Sequence, residues 1–130
     1  APNFPKIVCD VQQIQQVFWN LLLNAIQAMP DGGTLAIRTR VEKVEAWELD
    51  TQTPIYTGII AVRDTGCGMN EDQLRNIFHP FYTTKKNGTG LGLAIVHNII
   101  ENHHGTIKVK STVQKGTTFE VVLPLTQEYW

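Results

Sequence analysis

The sequence predicts an α/β domain, a two-layer sandwich with helices on one face of a mixed β-sheet. Three observations lead there. Apolar residues recur at three- and four-residue steps over 11–29, other stretches alternate as strands do, and the two patterns are interleaved along the chain. Residues 6–9 (Lys-Ile-Val-Cys) read as a short strand after Pro5. Over 11–29, Val11, Ile14, Phe18, Leu21, Leu22, Ala25 and Met29 make one apolar stripe, with Asp10 placed to cap it. Pro30-Asp31-Gly32-Gly33 stops that helix and turns the chain. Residues 34–41 alternate, with Leu35, Ile37, Thr39 and Val41 on one side and Arg38 and Arg40 on the other. Residues 42–56 are polar and contain Pro54, which fits a loop or an extended hairpin tip. A second strand covers 57–63.

Asn70 with Gln73 three residues on, and Glu71 and Asp72 between them, signals a short helix to about Phe78. Residues 79–90 carry Pro80, Asn87, Gly88 and Gly90 and read as a mobile loop. Another helix runs from Leu91 to about His103, with Gly105 as its stop signal. The chain closes in a hairpin, 106–113 and 117–123, with a turn at Lys115-Gly116 and an end at Pro124.

Composition removes several functions. The chain has 130 residues, 42% hydrophobic and 18% charged, enough to pack one core and unlike a disordered tail. Its abrupt start at Ala1-Pro2-Asn3 leads us to expect a piece of a longer protein, with residues 1–130 as one domain and its core over about 6–124. A net charge of −1 supplies no basic excess, which argues against a nucleic-acid binder. Cys9 and Cys67 form no CxxC pair, so a zinc cluster or disulfide scaffold is not expected and a reducing, cytoplasmic compartment is. The one serine, Ser111, has no GxSxG around it, which argues against a serine hydrolase. No apolar run is long enough to cross a membrane, and no signal peptide opens the chain.

Five constellations carry chemistry. Asn20 and Asn24 lie about 40° apart on one helix face, away from the apolar stripe. An amide oxygen is a hard donor that can complete a Mg²⁺ shell made mostly of phosphate and water, although alone the pair reads more simply as two exposed polar residues. Asp64-x-Gly66-x-Gly68 ends a strand. A carboxylate fixed there can accept from an exocyclic amine while the glycines let backbone approach a flat ring; a glycine turn with Asp64 capping a backbone N–H explains it equally. Gly88-Thr89-Gly90-Leu91-Gly92-Leu93 opens a helix whose free N–H groups favour anions. It is neither a P-loop nor a dinucleotide fingerprint, and no strand precedes it. Lys85 and Lys86 just before it could meet phosphate charge or simply be solvated. Phe78-His79-Pro80-Phe81 could anchor the loop, dock a partner or pack in the core. Alternation in the last strand turns Thr117 inward with Phe119, Val121 and Leu123. A hydroxyl there needs a partner, which a ligand or Asp64 could supply.

In order and spacing these motifs resemble the ATP-binding catalytic domain of bacterial sensor histidine kinases, part of the superfamily shared with gyrase, mismatch-repair proteins and a heat-shock chaperone. Asn20-Leu-Leu-Leu-Asn24-Ala25 looks like the N box, and Asp64-Thr-Gly66-Cys-Gly68 like the first glycine box. Phe78-His-Pro-Phe81 looks like the F box, Gly88-Thr-Gly90-Leu-Gly92-Leu93 like the second glycine box, and Gly116-Thr117-Thr-Phe119 like the closing strand. The resemblance covers about residues 6–124. Nitrogen-regulation sensor kinases are nearest in feel, through Asn24-Ala-Ile-Gln27-Ala and Phe81-Tyr-Thr-Thr-Lys85.

The resemblance implies an ATP site between the helical layer and a lid at 79–90. It implies Asn24 as the Mg²⁺ ligand with Asn20 nearby, and Asp64 on the adenine amino group. Gly66, Gly68 and Met69 then shape the purine pocket, with Phe81 beside the nucleotide. Lys85 and the N–H groups of Gly88, Thr89, Gly90, Leu91, Gly92 and Leu93 reach the phosphates, and Thr117 supports Asp64. ATP and Mg²⁺ are the cofactors implied. The catalytic residues are Asn20, Asn24 and Lys85, and the reaction is transfer of the γ-phosphoryl group to a histidine.

Two positions depart from the pattern. Relatives that hydrolyse ATP carry a glutamate where Asn20 stands, and an amide cannot act as a base. Many sensor kinases have a basic residue where Gln27 stands. The phosphoacceptor is expected on an upstream dimerising domain of the same protein, because His79, His97, His103 and His104 read as surface or packing residues. A response regulator's receiver domain is then an indirect partner, and neither nucleic acid nor a membrane touches this domain. The chain alone is expected to bind Mg-ATP without phosphorylating itself. A serine-directed relative and a nucleotide-binding module without catalysis are the alternatives.

Overall fold

The computed structural model describes residues 7, 9–45, 55–82 and 91–125. Helix α1 (Val11–Gln27) is capped by Asp10, whose side chain accepts the Gln13 N–H at 3.1 Å. Strands β1 (Leu35–Val44) and β2 (Ile55–Asp64) pair antiparallel over their whole length, so the hairpin is longer at its tip than the 34–41 and 57–63 alternation predicts. Helix α2 (Glu71–Asn76) opens on the expected capping box, with Asn70 and Gln73 exchanging side-chain and backbone bonds at 2.8 and 2.9 Å. Helix α3 (Gly92–Asn102) and the hairpin of β3 (Thr106–Thr112) and β4 (Gly116–Leu125) complete the chain.

The sheet runs β1-β2-β4-β3 and is antiparallel at every one of these pairings. The fold class is the expected one, helices on one face of a sheet. The expected mixed pairing is absent from the described strands, because each follows a hairpin or lies beside a strand running the other way. At the expected first strand, Ile7 and Cys9 are not in strand conformation, and residues 6 and 8 lie outside the described residues. Pro124 does not end β4 but sits within it, opposite Thr57. Pairing with β3 stops at Val122, so beyond it β4 has an open edge where a missing N–H costs no ladder bond.

Inward-facing residues of the sheet meet one stripe of each long helix. Val17, Leu21, Val62, Val96, Ile100, Val121 and Leu123 are fully buried there, each stabilising the fold by about 1.5–3 kcal/mol. The opposite face of the sheet is mixed, with Arg38, Arg40, Arg63 and Glu120 beside Ala61, Val122 and the buried Ile59. On it Arg40 bridges to Glu120 at 2.8 Å and to Glu42 at 3.0 Å. Those two bonds, Glu120 first, raise the Arg40 pKa above its already high ordinary value. A raised pKa stabilises the fold below the unfolded value and is lost only above it, so Arg40 adds no pH dependence near neutrality.

A histidine ties the helix ends together. Asp10 N–H donates to His103 Nε2 at 3.0 Å, and His103 Nδ1 lies 2.8 Å from the Ile99 carbonyl. Only the neutral ring, with its proton on Nδ1, serves both. His97 stacks against Phe78, ring centres 5.4 Å apart. Both therefore pack, as expected.

Candidate functional site

Among the described residues the predicted positions fall in two clusters, one where β2 ends and one on α1. The first cluster lies where β2 ends. Asp64 and Thr117 are directly opposite in the β2–β4 register, on the helix-facing side, at 4% and 6% exposure. They are the buried polar residues among the described residues, set in an otherwise apolar layer. Polar groups so placed serve a purpose, since burial costs them their water. Asp64 Oδ1 accepts the Gly66 N–H at 2.8 Å, the turn-capping bond the sequence allowed. Its other oxygen has no hydrogen bond to a described residue.

The turn after Asp64 needs its glycines. A Cβ at Gly66 would lie 2.4 Å from the Ala28 carbonyl oxygen, and Cys67 N–H donates to that same oxygen at 3.1 Å. Gly68 has φ of 69°, and its Cβ would lie 2.1 Å from the Thr112 carbonyl. The turn is thus clamped between the last turn of α1 and the β3–β4 hairpin. Gln114 N–H donates to Cys67 O at 2.7 Å on the hairpin side.

The expected partner of the Thr117 hydroxyl was Asp64 or a ligand. The structure supplies Ser111 instead, with Oγ 2.7 Å from Thr117 Oγ1. Ser111 also accepts the Met69 N–H at 2.7 Å and donates to the Gly116 carbonyl at 3.1 Å. Sequence reasoning missed this residue. The signal was a lone serine on the inward side of a hairpin, but pairing it with Thr117 needs the turn length. That length is three residues, with Gln114 left-handed at φ 67°, which sets Thr112 against Gly116 and Ser111 against Thr117.

The second cluster is helical. Asn20, Asn24 and Ala28 follow at four-residue steps and form one ridge along α1. Both asparagines are half-buried rather than fully exposed. At one end of the ridge Asn20 meets the start of α3, where a Cβ on Gly92 would lie 3.2 Å from Asn20 Oδ1. At the other end Ala28 receives the Gly66–Cys67 turn. Eight residues of helix separate these ends by about 12 Å. No side chain caps α3 at Leu91.

Met69 and Leu93 are half-buried and pack against the core, and Leu91 precedes the first turn of α3. Phe81 is 74% exposed. Lys85, Gly88, Thr89 and Gly90 lie outside the described residues, as does most of the expected lid. Among the described residues no cluster of three His, Cys, Asp or Glu could hold a metal. A divalent cation here would need phosphate oxygens beside an Asn24 amide, which is the donor set such a complex brings. A groove of about 550 Å³ lies elsewhere. Ile14, Gln15, Phe18, Trp19 and Leu22 line it on the opposite side of α1, and a single amide among apolar groups suits neither phosphate nor a base.

Comparison with known proteins places the chain in a family. The profile of the histidine kinase-, DNA gyrase B-, and HSP90-like ATPase family matches residues 9–127. Sporulation kinase E of Bacillus subtilis (strain 168) is 43% identical over 125 residues, covering 96% of this chain and 15% of that protein. Sensor histidine kinase ZraS of Escherichia coli (strain K12) is 44% identical over 124 residues, covering 95% of this chain and 24% of that protein. Among solved structures, the nucleotide-free catalytic domain of histidine kinase ThkA superposes with a TM-score of 0.73 at 32% identity, covering 94% of this chain and 72% of that one. The chain thus spans about a quarter or less of the two curated relatives.

Proposed function

The chain belongs to the histidine kinase-, DNA gyrase B- and HSP90-like ATPase family, and from that premise we propose that it binds Mg-ATP and donates the γ-phosphoryl group to a histidine on a separate dimerisation domain, in two-component signalling. The observation that carries this reading is the α1 ridge. Asn20, Asn24 and Ala28 run from the uncapped start of α3 to the turn beside the buried Asp64–Thr117 pair, the span a nucleotide needs between phosphates and base.

In this reading Asp64 accepts from the adenine amino group, with the Thr117 hydroxyl across the register from it. Gly66, Gly68 and Met69 form the wall of the base pocket, with Phe81 at its rim. Asn24 offers an amide oxygen to Mg²⁺ beside Asn20. Lys85 and the N–H groups over Gly88, Thr89, Gly90, Leu91, Gly92 and Leu93 hold the phosphates. Bound Mg-ATP supplies the phosphoryl group, and the protein contributes position and charge. Asn20 cannot activate water, which favours transfer over hydrolysis. His103 and His97 are occupied by packing, which supports an acceptor histidine upstream in a longer sensor kinase. A receiver domain would then take the phosphoryl group from that histidine. Among the described residues no helix is long and apolar enough to cross a membrane.

Calorimetric titration of the chain with a non-hydrolysable ATP analogue, with and without Mg²⁺, tests the reading. Saturable binding that Mg²⁺ alters is expected, with a loss of about 100-fold in Asp64→Ala, as for a hydrogen bond to a charged group. No binding at millimolar nucleotide would refute it. Incubation with labelled ATP should leave the isolated chain without acid-labile phosphate.

A further inference from the structure

We propose that Ser111 fixes the hydrogen-bonding polarity of the base pocket, making it select a purine with an exocyclic amino group over one with an oxo group there. The inference rests on the nucleotide-binding reading and names what decides its base specificity. It follows from counting protons. A serine hydroxyl has one proton and two lone pairs. Ser111 Oγ has three neighbours: the Met69 N–H at 2.7 Å, the Gly116 carbonyl at 3.1 Å and Thr117 Oγ1 at 2.7 Å. The amide can only donate, so it takes one lone pair. The carbonyl can only accept, so it takes the proton. One lone pair is left for Thr117, which must therefore donate.

Thr117 has then used its only proton and offers nothing but lone pairs. Directly across the register stands Asp64, equally buried, whose carboxylate accepts and does not donate. One of its oxygens is taken by the Gly66 N–H and the other has no described partner. The pocket floor is thus acceptor beside acceptor. An amino group brings two donors and suits both. An oxo group would set a third acceptor against them and leave buried groups unpaired. A Thr117 proton free to rotate would rescue the oxo base, and Ser111 removes that freedom. Ser111 is a positioning residue: it acts through Thr117 and need not touch the ligand.

The test compares adenosine and inosine triphosphate analogues, in Mg²⁺, by calorimetric titration of the parent chain, Ser111→Ala and Ser111→Thr. The parent should prefer the adenosine analogue. Ser111→Ala should narrow that preference by about tenfold, chiefly by gaining affinity for inosine, and Ser111→Thr should keep it. Weakening of both analogues by the same factor in Ser111→Ala would overturn the inference and leave Ser111 a structural role only. A parent that binds neither analogue would instead overturn the nucleotide-binding reading, and the inference with it. Should Ser111→Ala not fold, Ser111→Cys carries the comparison, since a thiol is a poor acceptor for the Thr117 proton; an unchanged ratio there also overturns the inference.

Discussion

The two ends of the site are built from different materials. At one end Asp64, Thr117 and Ser111 hang on three paired strands, and the Gly66–Met69 turn is clamped from both sides by main-chain atoms. At the other, Asn20 projects from one helix toward the start of another, with Asn24 one turn along the same face, and the meeting is between a side chain and a glycine. The strand-built end has a ladder on each side of β4 to hold its geometry. The helix-built end depends on how α1 and α3 pack. A base needs fixed donors and acceptors, whereas phosphates and their cation need groups that can follow them. The division of materials matches the proposed division of work.

This contrast can be broken by substitution. The largest effect is expected at the strand-built end. Gly68→Ala forces a side chain into left-handed backbone and against the Thr112 carbonyl, and should cost about 2–4 kcal/mol of stability in chemical denaturation. A loss below 0.5 kcal/mol, a rough floor for surface changes, would show the clamp to be soft. A smaller and different effect is expected at the helix-built end. Asn24→Ala should lower affinity for the Mg²⁺–triphosphate analogue by about tenfold while leaving adenosine monophosphate binding intact. Equal loss for both nucleotides would erase the distinction between the ends. The smallest effect is expected away from both, on the outer face of the sheet. Arg40→Gln breaks two partly exposed ion pairs and should cost less than about 1 kcal/mol, vanishing at high salt without touching nucleotide affinity.

Much of this was legible before the fold was known. The Asp10 cap, the Asn20–Asn24 face and most of the α1 stripe follow from a 3.6-residue period and one short-range bond, although that stripe takes in Val11, which is exposed, and leaves out Val17, which is fully buried. The Asn70–Gln73 box needed only three residues. Alternation alone turned Thr117 inward with Phe119 and Val121. The order and spacing of the motifs carried the resemblance to the family. Such features are written in near neighbours, and neighbours in sequence remain neighbours in space.

Tertiary structure decided the rest. That Ser111 meets Thr117 depends on the hairpin register, which one residue more or less in the turn would shift to the other face. The contact of Gly92 with Asn20 depends on two helices packing over a shared core, and the place of Pro124 inside β4 on where β3 runs out. These are meetings of residues far apart in the chain. Each was one of many that the same periodicities allow, and only the burial of both helices against one sheet selects among them.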